Sequence, residues 1–311
     1  MNTNYDLIVV GGGPSGLTAA MYGLRAGLKV VIIEKQNIGG QTLTIPDIKN
    51  YPGFISISGV ELTIKMHEQV ISLGAVIVYD DIKSLDLIGD TKRVETFSNG
   101  TFTSQTIVLA MGAIARNLGL PREQEFIGAG ISYCAVCDGT FFKDLVVAVV
   151  GGGNTAIDDA IYLAGFAKKV YIIHRQNRFK ADEELISTLN TFNKIEKIMD
   201  CKIVELLGEN KLSGIKIENL NTGNQKQLDI NGLFIAVGRG PDTELVKNIV
   251  TLNKNGYILT NDKMETNISG IYVAGDVRES VIKQIVIACA DGAVAATMAN
   301  RYIKSKKYKK V

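Results

Sequence analysis

Of 311 residues only four are cysteine and two are histidine, and the formal charge is no more than +2. Four cysteines are too few for a disulfide scaffold, and in a reducing compartment a lone C-x-x-C pair reads as redox or metal chemistry before it reads as structure. No apolar run approaches the roughly 18 residues that a membrane helix needs. The start, "MNTNYDLIVVGGG", has no basic segment followed by a long apolar stretch. The expectation is a soluble, cytoplasmic protein. Lys304, Lys306, Lys307, Lys309 and Lys310 lie in the last ten residues, so the remainder carries a net −3. Nothing in that balance points to a nucleic-acid binder; the basic tail reads as a solvated end in preference to a weak anionic-surface contact, and no membrane partner is expected.

The chain does have apolar residues (46%) and glycine (32), enough for one large core or two medium ones, and two domains is the starting expectation. Residues 9–35 read "VVGGGPSGLTAAMYGLRAGLKVVIIEK" and residues 149–175 read "VVGGGNTAIDDAIYLAGFAKKVYIIHR". A shift of 140 superimposes them without a gap, with 11 of 27 positions identical. Each copy reads as a buried strand, a glycine turn, a helix of about eleven residues and a second apolar strand, the βαβ pattern of a dinucleotide-binding unit. Gly11 and Gly151 permit the turn, Gly13 and Gly153 let backbone approach a pyrophosphate, and Gly16 or Ala156 lets helix pack against strand. One such fingerprint is a weak signal; two in register are a strong one.

The copies differ where chemistry is readable. The first ends on Glu34, an acceptor for the hydroxyls of a ribose with a free 2′-OH; the second has His174 and then Arg175 at the matching place. A carboxylate repels a 2′-phosphate and a cation holds it, so the first site leans to FAD or NAD and the second to NADPH. "IVLAMG" (107–112) and "LFIAVG" (233–238) read as the last strands of the two halves. The segments "TKRVETFSNGTF" and "SGIKIENLNTGNQKQLDI" read as small antiparallel excursions with Asn-Gly and Thr-Gly turns. In "ISYCAVCDGTFF" (131–142), Cys134 and Cys137 could be a staple, half a metal clip or a redox pair.

With the repeat in place, the chain resembles the low-molecular-weight thioredoxin reductases, class II of the pyridine nucleotide-disulfide oxidoreductases, over nearly its whole length. The matching stretches are "GGGPSG", "GGQTLTIPDIKNYPG", "CAVCDG", "GGGNTAIDDAIYLA", "HRQNRFKA" and "GIYVAGDVRESVIKQI". The resemblance implies an α/β fold of two Rossmann-like, three-layer ββα domains. An FAD domain split into 1–115 and 245–311 would enclose an inserted NADPH domain at 116–244. It also implies a homodimer. FAD contacts carry over to Gly11, Gly13, Ser15, Gly16, Glu34, Gln41, Asn50, Asp276, Gln284 and Ile285. Nucleotide contacts in the inserted domain carry over to Gly151, Gly153, Asn154, Thr155, Ala156, His174, Arg175 and Lys180. Asp276 is also readable as an acceptor for a ribitol hydroxyl or as a helix N-cap.

In that setting the cysteine pair opens the inserted domain. A staple across so few residues constrains the unfolded chain little, and structural zinc needs about four ligands while Cys201 and Cys289 stand alone. Redox catalysis is therefore expected, and no metal. The expected reaction passes hydride from NADPH to the flavin, the reduced flavin reduces the Cys134–Cys137 disulfide, and the resulting dithiol reduces the disulfide of thioredoxin by thiol–disulfide exchange. By resemblance Cys137 faces the flavin and Cys134 attacks the partner. Asp138 is the candidate acid/base, since the only histidines are His67, on an amphipathic helix, and His174; its plain alternative is an Asp-Gly turn. The inserted domain would rotate about hinges near Gly112–Asn117 and Gly238–Thr243. Phe141 and Phe142 read either as an aromatic patch for a protein partner or as core.

The pattern departs from the family in "HRQNRFKA", where Gln176 and Lys180 stand at two arginine positions, with Arg178 able to compensate. NADPH is still expected over NADH. The other readings are a flavin dithiol oxidase passing electrons to O₂, a related enzyme using NADH or another donor, and a flavoprotein redox sensor.

Overall fold

The computed structural model describes residues 3–308; Lys309 and Lys310 of the basic tail lie outside them. Asn4–Val10 (β1) and Val30–Glu34 (β2) end in unbroken aliphatic runs, the pattern of strands covered on both faces, and they pair in parallel. Between them runs Pro14–Arg25 (α1), with proline in the first turn, where its missing N–H forfeits no helical hydrogen bond. Gly59–Ser72 (α2) is capped by Ser58, whose side chain accepts from Glu61 N. Val76–Tyr79 (β3) then pairs parallel to β2. Ile82–Ile88 (β4), Thr91–Thr96 (β5) and Thr101–Leu109 (β6) form an antiparallel meander that returns alongside β1, giving the order β3-β2-β1-β6-β5-β4.

The chain leaves this unit through Ala113–Ala115 (β7). The second unit holds Glu123–Phe126 (α3), Ile131–Ser132 (β8), Ala135–Asp138 (α4), Val146–Gly151 (β9), Asn154–Ala164 (α5), Lys169–Ile173 (β10), Glu183–Leu189 (α6) and Ile195–Ile198 (β11). Cys201–Gly208 (β12), Leu212–Asn219 (β13), Gln225–Asp229 (β14) and Gly232–Ala236 (β15) complete it. Its parallel sheet runs β11-β10-β9-β15-β8, and β12-β13-β14 form a separate antiparallel sheet. Val147, Ile157, Ala160, Leu163 and Leu189 pack the helices on one face of the parallel sheet. Ile203, Ile215 and Leu228 pack the antiparallel sheet with Ile131, Val150 and Leu233 on the other. Three layers, ββα, result.

The return crossing is Arg239–Pro241 (β16), which pairs with β7. Ile271–Val273 (β17) then adds to the first sheet beside β6, and Ile285–Tyr308 (α7) packs on α1. The first unit thus carries α1, α2 and α7 over one core (Leu17, Leu62, Met66, Ala296, Ile303) and a second core under Leu85, Val94, Phe102, Val246 and Ile258. By compactness the units are 1–114 with 240–311, and 115–239. By that division residues 240–244, at the expected boundary, group with the first unit. The reason is local: Asp242 pairs with Lys35 at 2.7 Å, and the Thr243 hydroxyl donates to Gly256 O at 3.0 Å. Within the first unit, β17 is an outer neighbour of β6, so "IVLAMG" is not its last strand.

Candidate active site

Each glycine turn is shaped by close packing at its start and open space at its end. Gly11 (φ +103°) passes so near β6 that a Cβ would stand 2.4 Å from Ala110 O, and one on Gly151 would stand 2.3 Å from Ala236 O. A Cβ on Gly16 would meet Gly11 O at 1.9 Å, and the buried Ala156 takes the matching place in the second turn. Gly13 and Gly153, the residues preceding α1 and α5, have nothing within 4 Å of such a Cβ, and no side chain caps either helix. Uncapped N–H groups facing open space are a cradle that fits a pyrophosphate. Ser15 is buried behind the first turn, and Thr155 is exposed on the second.

The residue closing each βαβ unit bears on the middle glycine of its turn. Glu34 is buried, with Oε2 accepting from Gly12 N at 2.6 Å and Oε1 from Gln36 N at 2.8 Å. Each oxygen keeps a second lone pair for a ribose hydroxyl. In the second unit the His174 ring fills the space beside Gly152, where a Cβ would lie 2.2 Å from ring atoms. His174 is buried, Nε2 has no partner, and burial first, then the nearby Arg175, lowers its pKa. The imidazole is therefore neutral near pH 7, and the cations available to a 2′-phosphate are the exposed Arg175, Arg178 and Lys180. Asn154 is committed to Asp182, donating from Nδ2 to Oδ2 at 2.7 Å and accepting from Asp182 N at 2.9 Å.

Elsewhere in the first unit, Gln41 donates from Nε2 to Ala113 O at 2.7 Å, and Asn50 Nδ2 donates to Gln284 Oε1 at 3.0 Å. Asp276 follows β17, and its carbonyl accepts from Lys283 Nζ at 3.1 Å. The next helix starts only at Ile285, so Asp276 is no N-cap. Behind it, the buried Asp291 accepts from Gly275 N at 3.1 Å. Asp291 also lies 3.1 Å from Arg278 Nε, an ion pair without hydrogen-bond alignment.

Cys134 and Cys137 form a disulfide, with Cα atoms 5.3 Å apart. α4 is a single turn whose first free amides face the pair: Cys137 N donates to Cys134 Sγ at 3.2 Å. The buried Ser132 ties this turn together. Its hydroxyl donates to Asp138 Oδ2 at 2.6 Å and accepts from Cys134 N at 3.0 Å. Through that hydroxyl the Asp138 carboxylate is linked to the Cys134 amide. Cys137 is exposed and Cys134 half-buried. Ser132 was not singled out in the sequence, where a serine two residues before a cysteine carries no signal. Among the described residues no group of three or more His, Cys, Asp or Glu is placed to hold a metal.

A model of the pyridine nucleotide-disulphide oxidoreductase family matches residues 5–292. The chain belongs to this family. Its relatives include several thioredoxin reductases: that of Peptoclostridium acidaminophilum is 39% identical over 98% of this chain and 99% of the relative. That of Bacillus subtilis is 39% identical over 96% and 95%. The crystal structure of Lactococcus lactis thioredoxin reductase superimposes with a TM-score of 0.90 at 37% identity, covering 97% of this chain and 99% of the other. This family uses flavin and nicotinamide cofactors, and the two glycine turns with their open helix starts fit such groups. No helix among the described residues is long and apolar enough to cross a membrane.

Proposed function

We propose that the protein is a flavin-dependent thioredoxin-disulfide reductase that binds FAD in its first unit and NADPH in its second. The observation that carries this reading is a C-x-x-C disulfide, networked to a carboxylate, in the same unit as a nucleotide cradle. Together the two cofactors would supply hydride and electron transfer. The chain's own residues do the rest. Gly11, Gly13, Ser15 and Gly16 would line the FAD pyrophosphate, Glu34 the adenosine ribose, and Gln41, Asn50, Asp276, Gln284 and Ile285 the flavin side. Gly151, Gly153, Thr155 and Ala156 would line the NADPH pyrophosphate, with Asn154 held in place by Asp182, and Arg175 and Lys180 at its 2′-phosphate beside the neutral His174.

Reduction of the disulfide leaves two thiols, and exchange with a protein disulfide needs one as thiolate. The Cys137 amide aimed at Cys134 Sγ supports Cys134 as that thiolate, because a donor at the sulfur favours the charged form. Asp138, whose carboxylate accepts from Ser132, would give or take the proton as Cys137 leaves or returns. A cytoplasmic homodimer completes the reading.

The test is an anaerobic titration of the yellow protein with NADPH and NADH, followed by thioredoxin-dependent turnover of wild type, Cys134→Ser and Cys137→Ser. Bleaching by NADPH in all three, with turnover in wild type alone, supports the proposal. A colourless protein that flavin does not reconstitute, or turnover that survives either serine, overturns it.

A further inference from the structure

Beyond β17 the chain reverses through residues 275–278, the turn that carries Asp276. Gly275 has φ +79°, and a Cβ on it would stand 2.6 Å from Ser15 Oγ, so the turn packs directly on the start of α1. α7 approaches the same place, where a Cβ on Gly292 would lie 2.2 Å from Ser15 O. The residue before Gly292 is Asp291, only 5% exposed. Among the described residues of α7 the other buried side chains are Ala295, Ala296, Ala299 and Ile303, so one carboxylate stands in an otherwise apolar face. An apolar residue there would pack α7 on α1 without the cost of taking a charge out of water.

The contacts of that carboxylate are specific. Its Oδ2 accepts from Gly275 N at 3.1 Å and lies 3.1 Å from Arg278 Nε, which supplies the counter-charge. The Gly275 carbonyl accepts from Arg278 N at 3.1 Å, so both polar groups of Gly275 are fixed, one by Asp291 and one within the turn. Lys283 Nζ donates to the next carbonyl, that of Asp276, at 3.1 Å. The backbone around Asp276 is thus tied down from the α7 side.

We propose that Asp291 is a positioning residue for FAD: through the Gly275 amide it fixes the turn that presents Asp276 to the ribitol chain. The inference rests on the reading of the first unit as an FAD site. A buried amide that loses its acceptor is relieved by moving, because burial without a hydrogen bond is costly. Here the turn itself would move, since Gly275 N belongs to its backbone, and Asp276 would go with it. Arg278 has a different part. It neutralises the carboxylate, and removing the two charges together leaves no unpaired ion behind.

The test compares three holoproteins. Beside wild type stand Asp291→Asn/Arg278→Met, which removes both charges but keeps an acceptor for Gly275 N, and Asp291→Leu/Arg278→Met, which removes the acceptor as well while filling the space. The rise in flavin fluorescence on dilution reads the rate at which FAD leaves, visible circular dichroism reports the setting of the bound flavin, and melting in excess FAD reports the fold. Release from the asparagine variant is expected within about threefold of wild type, and from the leucine variant about tenfold faster or more. The leucine variant should also show an altered dichroism band while melting with the asparagine variant. Equal release from the two variants overturns the proposal. So does faster release from the leucine variant that is matched by a lower melting point in excess FAD, because residue 291 would then act by packing alone. A wild type that holds no flavin overturns the functional reading, and the inference falls with it.

Discussion

The His174 imidazole occupies the space beside Gly152 as the Glu34 carboxylate occupies that beside Gly12, so both βαβ units are closed by the same contact made with different chemistry. In the first copy it is a hydrogen bond; in the second it is packing against a ring that burial keeps neutral. Gly152→Ala is expected to push the ring out, destabilise the second unit by about 1–3 kcal/mol and raise KM for NADPH. Thermal denaturation and steady-state kinetics check both. Gly12→Ala would be felt instead in flavin retention, because its Cβ meets Ile38 Cδ1 at 2.4 Å and Glu34 Oε2 at 3.3 Å.

With a neutral imidazole, the proposed NADPH site leaves dinucleotide preference to the exposed cations around it. Gln176→Arg adds one charge-assisted contact to a 2′-phosphate, worth about 1.5–3 kcal/mol, so the kcat/KM ratio of NADPH to NADH should rise by about ten- to a hundredfold. The wild type should still favour NADPH through Arg175, Arg178 and Lys180. Side-by-side kinetics with both nucleotides decide it, and an unchanged ratio in the variant would place the phosphate elsewhere.

The carboxylate beside the disulfide gives a prediction that separates the half-reactions. Asp138→Asn should lower thioredoxin turnover by about 10²–10⁴-fold while leaving flavin reduction by NADPH near wild type. Ser132→Ala removes only the hydroxyl that steers it, and a loss of about tenfold is expected, with the pH profile of turnover shifted. Stopped-flow flavin reduction and coupled thioredoxin assays at several pH values read the difference.

Asp159, on α5, is pushed up to about 7 by burial and by the adjacent Asp158 carboxylate. Unfolded, the group ionises from about 3.8 upward, whereas the folded group ionises only near 7. Between these values the unfolded state holds fewer protons, so this side chain's effect is to lower stability as pH rises, levelling off above about 7. Asp159→Asn should therefore stabilise the protein at pH 8, by on the order of 1–2 kcal/mol, and have no effect near pH 3.5. Melting temperatures of wild type and variant across that range give the sign directly.

Much of the fold was legible because two periodicities are written plainly in the chain. The runs "LIVV" and "VVAVV", each closed by a glycine turn, read as strands covered on both sides, and the segment repeated at a shift of 140 points to two units of like design. The glycine turns, Glu34 and the cysteine pair were legible because their chemistry is local. Ser132, Asp182 behind Asn154, and the Arg278–Asp291 pair behind Gly275 were not, since each acts through a contact that chain folding, not spacing, brings about. The tie between Lys35 and Asp242, 207 positions apart, was not legible for the same reason.

The paired crossings have an architectural consequence. Arg116 N donates to Gly238 O at 3.0 Å, so the second unit begins and ends at one point. The two ends of the insertion are held together by its own backbone, so for closure of the surrounding chain its length counts for no more than that of a short turn.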